Sequence, residues 1–232
     1  MATITLFHGS ERIVETPDIH LGNPHNDYGR GLYCTKDIEM AKEWACKKGT
    51  HGFVSCYVLN TDDLQILNLL DGKHTILNWM ALLLQNRTFS LKNEIAADAR
   101  KYIIEHYAVD LSGFDAVSGY RADDSYFSFA EAFVENGLPL RRLNRALRLG
   151  KLGEQVALVS PRAFEGLSFQ EAVPVDKTTY YPKFIARDTE ARNTYRSEIR
   201  GGQSYRDDIF VMDILRGEMQ NDDPRIQRIL SE

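Results

Sequence analysis

Three segments of the chain carry side chains that could act on a bound ligand. The first is His8-Gly9-Ser10, at the end of a run of β-forming residues. A histidine at a strand end can offer a ring nitrogen to a ligand hydroxyl, and the glycine beside it lets a ligand approach the backbone closely. Taken alone, the tripeptide is equally an ordinary strand-to-turn junction. The second segment spans residues 27–35, with Gly29 and Gly31 on either side of Arg30 and Tyr33 in the strand that follows. Eleven residues after Tyr33 stands Trp44, in a helical stretch. A strand aromatic and a helix aromatic can hold a flat ring between them, although two core aromatics would give the same pattern. Arg30 could grip a diphosphate through paired hydrogen bonds, or be a solvated loop residue. The third segment, residues 153–160, opens with Glu154 and Gln155 and continues as an apolar strand. A polar side chain where such a strand begins points into whatever cleft the sheet borders, or is simply a solvated strand end. Gln155 can hydrogen-bond a hydroxyl but is neither a charge nor a base. Asp123 and Asp124 lie beside Arg121 and offer a second source of carboxylate, or an N-cap for the helix ahead of Tyr126.

The elements that must position these residues follow from pattern. Strands are predicted at 3–7, 31–35, 52–59, 64–69, 115–119 and 155–160, with an extended stretch at 167–175. Helices are predicted from an Asp37 N-cap to about residue 47, and at 75–86, 93–107, 126–135 and 139–149, with a helical turn at 161–166. The last 55 or so residues carry helical periodicity, with a boundary near 174–180. Strands scattered among helices without a regular βαβ rhythm predict an α+β fold.

Composition narrows the function classes. The chain has 232 residues, 43% of them hydrophobic, enough for a full core. Its net charge of −5 weighs against a broad phosphate-binding surface, although Arg141, Arg142, Arg145, Arg148 and Lys151 cluster locally. That cluster is either a solvated helix face or part of an acceptor-reading surface. Residues 76–84 form the most apolar run, which Asn78 interrupts and which is too short to span a bilayer, and the first residues lack the pattern of a signal peptide. The expected address is cytoplasmic, or a target cell reached without a signal peptide, with no membrane partner. Cys34, Cys46 and Cys56 are odd in number and form no CxxC, so reduced thiols are expected. The six histidines make no HxH or HExxH pattern, and no metal is expected. GxGxxG, Walker A and GxSxG motifs are all missing from the sequence.

Taken in order, the three segments resemble the ADP-ribosyltransferase superfamily, in its His-Tyr-Glu branch. A closer similarity is to DUF3990, a bacterial family placed in that superfamily. It runs from residues 6–10 and 29–35 through 114–119 and 121–124 to 155–167, 209–216 and 222–225. The resemblance implies two small antiparallel or mixed sheets packed with helices around an NAD cleft. Residues 1–175 would form the catalytic domain, with 176–232 as a helical extension packed on it. It implies a mono-ADP-ribosyltransferase that cleaves NAD at the nicotinamide–ribose bond and passes ADP-ribose to a macromolecule, protein rather than nucleic acid, as a toxin or effector with a possible antitoxin or immunity partner. His8 would orient the ribose, with Ser10 beside it, and the Gly9 backbone would hold the nicotinamide amide. Tyr33 and Trp44 would form the stacking slot, and Arg30, Gly31 and Arg121 would line the NAD site. The acid position falls on Glu154 or Gln155, and the DUF3990 pattern favours Gln155. In that case Asp123 or Asp124 would supply the carboxylate. A silent NAD- or ADP-ribose-binding module and an NAD glycohydrolase are the alternatives.

Overall fold

The computed structural model describes residues 2–90, 92–122, 124–149, 154–201 and 205–231. The fold is α+β, with two small open sheets. Most predicted elements are present, their ends moved by a few residues.

β1 (Thr3–Ser10), β3 (Gly52–Asn60) and β7 (Leu167–Val175) form a three-stranded antiparallel sheet in the order β1-β3-β7. A register shift at Cys56/Tyr57 marks a bulge between β3 and β7. β2 (Leu32–Cys34), β4 (Ile66–Asn68), β5 (Ala116–Tyr120) and β6 (Glu154–Leu158) form the second sheet, ordered β2-β6-β5-β4. Its β4–β5 pair is parallel and the others antiparallel. Phe7 of β1 and Thr35, just after β2, bridge the two sheets through two backbone hydrogen bonds of 2.8 and 3.0 Å.

Both sheets belong to one of two compact units, which comprises residues 1–70, 111–121 and 153–189. Its core joins Leu6, Tyr57 and Leu59 of the first sheet to Leu32, Cys34, Ala116, Val156 and Leu158 of the second. Helix α1 (Ile38–Ala45) packs Ala41 and Ala45 against Val54, Cys56 and Val175. Asp37 caps it as predicted, its carboxylate accepting from the N–H groups of Glu39 and Met40.

The second unit comprises residues 71–110, 122–152 and 190–232. At its centre lies α2 (Ile76–Asn86), buried without a break from Ile76 to Leu84. A helix apolar all round belongs inside a helical layer. It packs against α3 (Glu94–Tyr107), which meets α4 (Asp124–Val134), and α4 in turn meets α5 (Leu140–Leu149). α6 (Pro161–Glu165) belongs to the first unit, α7 (Lys177–Gly201) runs from the first into the second, and α8 (Val211–Arg216) and α9 (Pro224–Leu230) complete the second. The units interleave along the sequence, whereas the chain pattern suggests a single cut near residue 175. Among the described residues no helix is long and apolar enough to cross a membrane.

Candidate active site

Strand alternation places His8. Ile4 and Leu6 turn towards the core shared by the sheets, and His8, two residues on, leaves β1 from the same face. Its Nδ1 lies 2.8 Å from the carbonyl oxygen of Tyr33. A carbonyl only accepts, so Nδ1 carries the proton. Burial lowers the imidazole pKa; the Tyr33 hydrogen bond opposes that shift and Lys47 adds to it. The ring is therefore neutral, and Nε2 presents a lone pair.

Gly9 answers a packing demand. A Cβ there would lie 1.9 Å from the Ala41 carbonyl oxygen and 2.9 Å from the Ala45 nitrogen, so α1 rests directly on the β1 backbone. Phe7 turns its N–H and C=O towards Thr35. Two residues on, those of Gly9 leave β1 on the same edge. The hydroxyl of Ser10 donates to the Arg12 carbonyl, 2.6 Å away.

Alternation also separates Glu154 from Gln155. Glu154 shares a face of β6 with Val156 and Leu158, the face that packs on the common core. Gln155 shares the opposite face with Ala157, and Tyr33 stands opposite Ala157. Tyr33 and Gln155 thus belong to the outward face of the second sheet, and His8 and Glu154 to the inward faces.

On the outward face the polar groups are tied to one another and to the backbone. Gln155 is buried, and its amide nitrogen donates to Asp27 Oδ2 at 2.8 Å and to the Tyr120 carbonyl at 3.0 Å. The Tyr28 hydroxyl donates to that same carbonyl at 2.7 Å. The Tyr33 hydroxyl donates to the Gly29 carbonyl at 2.7 Å and accepts from the Tyr28 N–H at 2.9 Å. The Tyr28 and Tyr33 rings lie parallel within 7°, centroids 6.4 Å apart. Gly29 sits at φ 79°, where an L side chain would be strained. Arg30 is exposed and donates to the His20 carbonyl, and Gly31 is buried where the loop meets β2. The network fixes the 27–31 loop on the sheet.

The inward face is different. Glu154 is partly exposed. The Ser118 hydroxyl donates to its Oε1 at 2.5 Å, and Lys36 Nζ lies 3.6 Å from the same oxygen. Among the described residues Oε2 has no partner, so the carboxylate is oriented through one oxygen and offers the other.

Trp44 is buried in the last turn of α1. The guanidinium of Arg121, which directly follows β5, lies over its ring at 4.4 Å. The neighbouring Glu43 pairs with Arg187 of α7, which also touches the Met40 sulfur. The rings of Trp44 and Tyr33 thus have different neighbours, Arg121 and Tyr28. Asp124 opens α4 in the other unit, and Asp123 lies outside the described residues. Among the described residues no group of three or more His, Cys, Asp or Glu could hold a metal ion.

Sequence reasoning passed over the anchoring roles of Asp27, Tyr28 and Ser118. Asp27 and Tyr28 stand inside the glycine-flanked segment, and the phase of β5 against β6 would have pointed to Ser118. Lys36 and Arg187 leave no comparable signal.

No curated protein matches the chain, and no solved structure does. Residues 4–169 match DUF3990, described as a protein of unknown function. That match takes in β1, the 27–31 loop, α1 and β6, and the chain belongs to the DUF3990 family.

Proposed function

We propose that the chain is a mono-ADP-ribosyltransferase, which takes NAD as co-substrate and transfers ADP-ribose to a macromolecular acceptor. The observation that supports this most is the spare valence on the inward faces. His8 is fixed through Nδ1 and presents Nε2, and Glu154 is fixed through Oε1 and presents Oε2. Both can accept from sugar hydroxyls. Cleavage breaks the bond between ribose C1′ and the nicotinamide nitrogen. The electron pair goes to the ring nitrogen, and positive charge appears on the ribose. A carboxylate held in advance near that charge stabilises it without reorganising. The acceptor's nucleophile then bonds to C1′ and gives up its proton to solvent or to the Glu154 carboxylate. In this reading Glu154, not Gln155, fills the acid position, because the Gln155 amide is buried and spent on Asp27 and Tyr120. Trp44 walls the nicotinamide, the Gly9 edge holds its amide, and Arg30 and Arg121 lie along the site, while Tyr33, on the other face of its sheet, holds the 27–31 loop. A protein acceptor and a toxin or effector role belong to the same proposal and rest on the resemblance.

The test is nicotinamide release from NAD by the purified chain, with and without cell lysate, beside His8→Ala and Glu154→Gln. Release that needs lysate and disappears in both variants is the expected result. Release without an acceptor identifies a glycohydrolase. NAD binding with no release under either condition identifies a silent binder and removes the catalytic assignments.

A further inference from the structure

We propose that Arg121 sets the charge of the ring that Trp44 accepts, favouring a neutral ring over a cationic one. The inference rests on the reading of Trp44 as a wall of the nicotinamide slot and adds a specificity-determining residue to it. Trp44 is 7% exposed, and the Arg121 guanidinium covers a face of its ring at 4.4 Å. A planar ligand that stacks on that face must displace the guanidinium or slide beneath it. In both cases it meets a cation tethered to the end of β5.

A second observation comes from the indole nitrogen. Four side-chain atoms are buried without a hydrogen-bond partner among the described residues: Glu43 Oε2, His74 Nδ1, Glu135 Oε1 and Trp44 Nε1. The first three face ionic neighbours in Arg187, Asp71 and Lys92. Trp44 Nε1 has none, so a buried N–H donor there lacks an acceptor. An acceptor for that N–H must lie at the edge of the indole, in the plane of its ring, where a ligand's carboxamide oxygen can reach it.

Charge then separates substrate from product. The nicotinamide ring of NAD is cationic, and released nicotinamide is neutral. When the C1′–N bond breaks, the electron pair discharges the ring beside the guanidinium while positive charge appears on the ribose. A fixed cation at the ring therefore favours the discharged state over the charged one, which is differential binding of the kind that speeds a step.

The experiment reads Trp44 directly and needs no turnover. The chain is labelled with 5-fluorotryptophan and followed by 19F NMR, the Trp44 resonance being the one lost in Trp44→Phe. Nicotinamide and the cationic 1-methylnicotinamide are titrated separately. The wild-type chain should bind nicotinamide more tightly, by roughly three- to fifty-fold, the span expected for like charges about 7 Å apart between water-like and protein-like screening. Arg121→Gln should bring the two affinities within about twofold, and Arg121→Lys should keep the preference. An unchanged preference in Arg121→Gln overturns the proposal while the slot reading stands, since Trp44 still responds. If Arg121→Gln fails to fold, the wild-type ratio decides alone, and a ratio near one overturns the proposal. A Trp44 resonance that neither probe moves, in the wild type and in Arg121→Gln, overturns the slot reading and this proposal with it.

Discussion

The two faces of the four-stranded sheet use similar polar residues to opposite ends. On the outward face Gln155, Asp27, Tyr28 and Tyr33 consume one another's hydrogen-bonding capacity and fix a loop. On the inward face Glu154 is held through one carboxylate oxygen, and His8, from the neighbouring sheet, through one ring nitrogen. A dense network of mutual hydrogen bonds contributes rigidity, whereas a group held through one atom is oriented and still able to bind. Adjacent residues of one strand, Glu154 and Gln155, therefore stand in different hydrogen-bonding environments.

The sharpest way to break that comparison is to alter the two neighbours separately. Glu154→Gln should lower nicotinamide release by about 100-fold or more, the scale of losing one preorganised electrostatic group, while stability shifts by less than about 1 kcal/mol. Gln155→Leu should do the reverse. It removes the amide that donates to the buried Asp27 carboxylate and to the Tyr120 carbonyl, and should cost about 3 kcal/mol in chemical denaturation, with residual activity following the folded fraction. Equal losses of activity per folded molecule in the two variants would erase the distinction between the faces.

The fold was legible where physics is local. The Asp37 cap, the alternation of β3 and the unbroken apolar run of α2 each declare their element within a few residues. The choice between Glu154 and Gln155 was not local. A one-residue change of phase moves every side chain of a strand to the other face, and only the pairing of β6 with β2 and β5 fixes that phase. Trp44 was legible as an aromatic at a suggestive spacing, but Arg121 reaches its ring from a distant part of the chain. The two interleaved units were illegible for the same reason, since no composition shift marks contacts between segments far apart in sequence.

Gly9 sharpens the comparison on the packing side. Sequence reasoning gives it to a ligand, and the structure shows what α1 requires of it. Gly9→Ala would drive a methyl group against the Ala41 carbonyl, a backbone atom that cannot turn aside. The expected cost is about 2–3 kcal/mol, measured by thermal or chemical unfolding. A cost near zero would mean that α1 shifts easily on β1, and Trp44 would then have no fixed position from which to stack.

Tyr33 belongs to the networked outward face, and a smaller change should reveal it. Tyr33→Phe keeps the ring and removes a hydroxyl that serves both the Gly29 carbonyl and the Tyr28 N–H. The loss should be about 1 kcal/mol of stability, with ring stacking retained and nicotinamide affinity nearly unchanged. A large fall in affinity with unchanged stability would instead move the Tyr33 hydroxyl to the ligand-binding side of the comparison.

The smallest effect tests the neutral ring of His8. Burial lowers its pKa, so below the ordinary imidazole value of about 6.5 the unfolded chain binds a proton that the folded chain resists. The contribution to stability is complete above that value and is lost as the pH falls through it towards the lowered one. His8→Gln can still donate to the Tyr33 carbonyl but does not titrate in this range. The difference in unfolding free energy, wild type minus His8→Gln, should be flat above neutrality and decline as the pH falls below about 6.5. Taking the difference between the two proteins cancels the carboxylates, which titrate in both. A difference that grows in favour of the wild type as the pH falls would mean that the folded ring takes up the proton. Nε2 would then be a donor, and His8 would have no lone pair to offer a ribose hydroxyl.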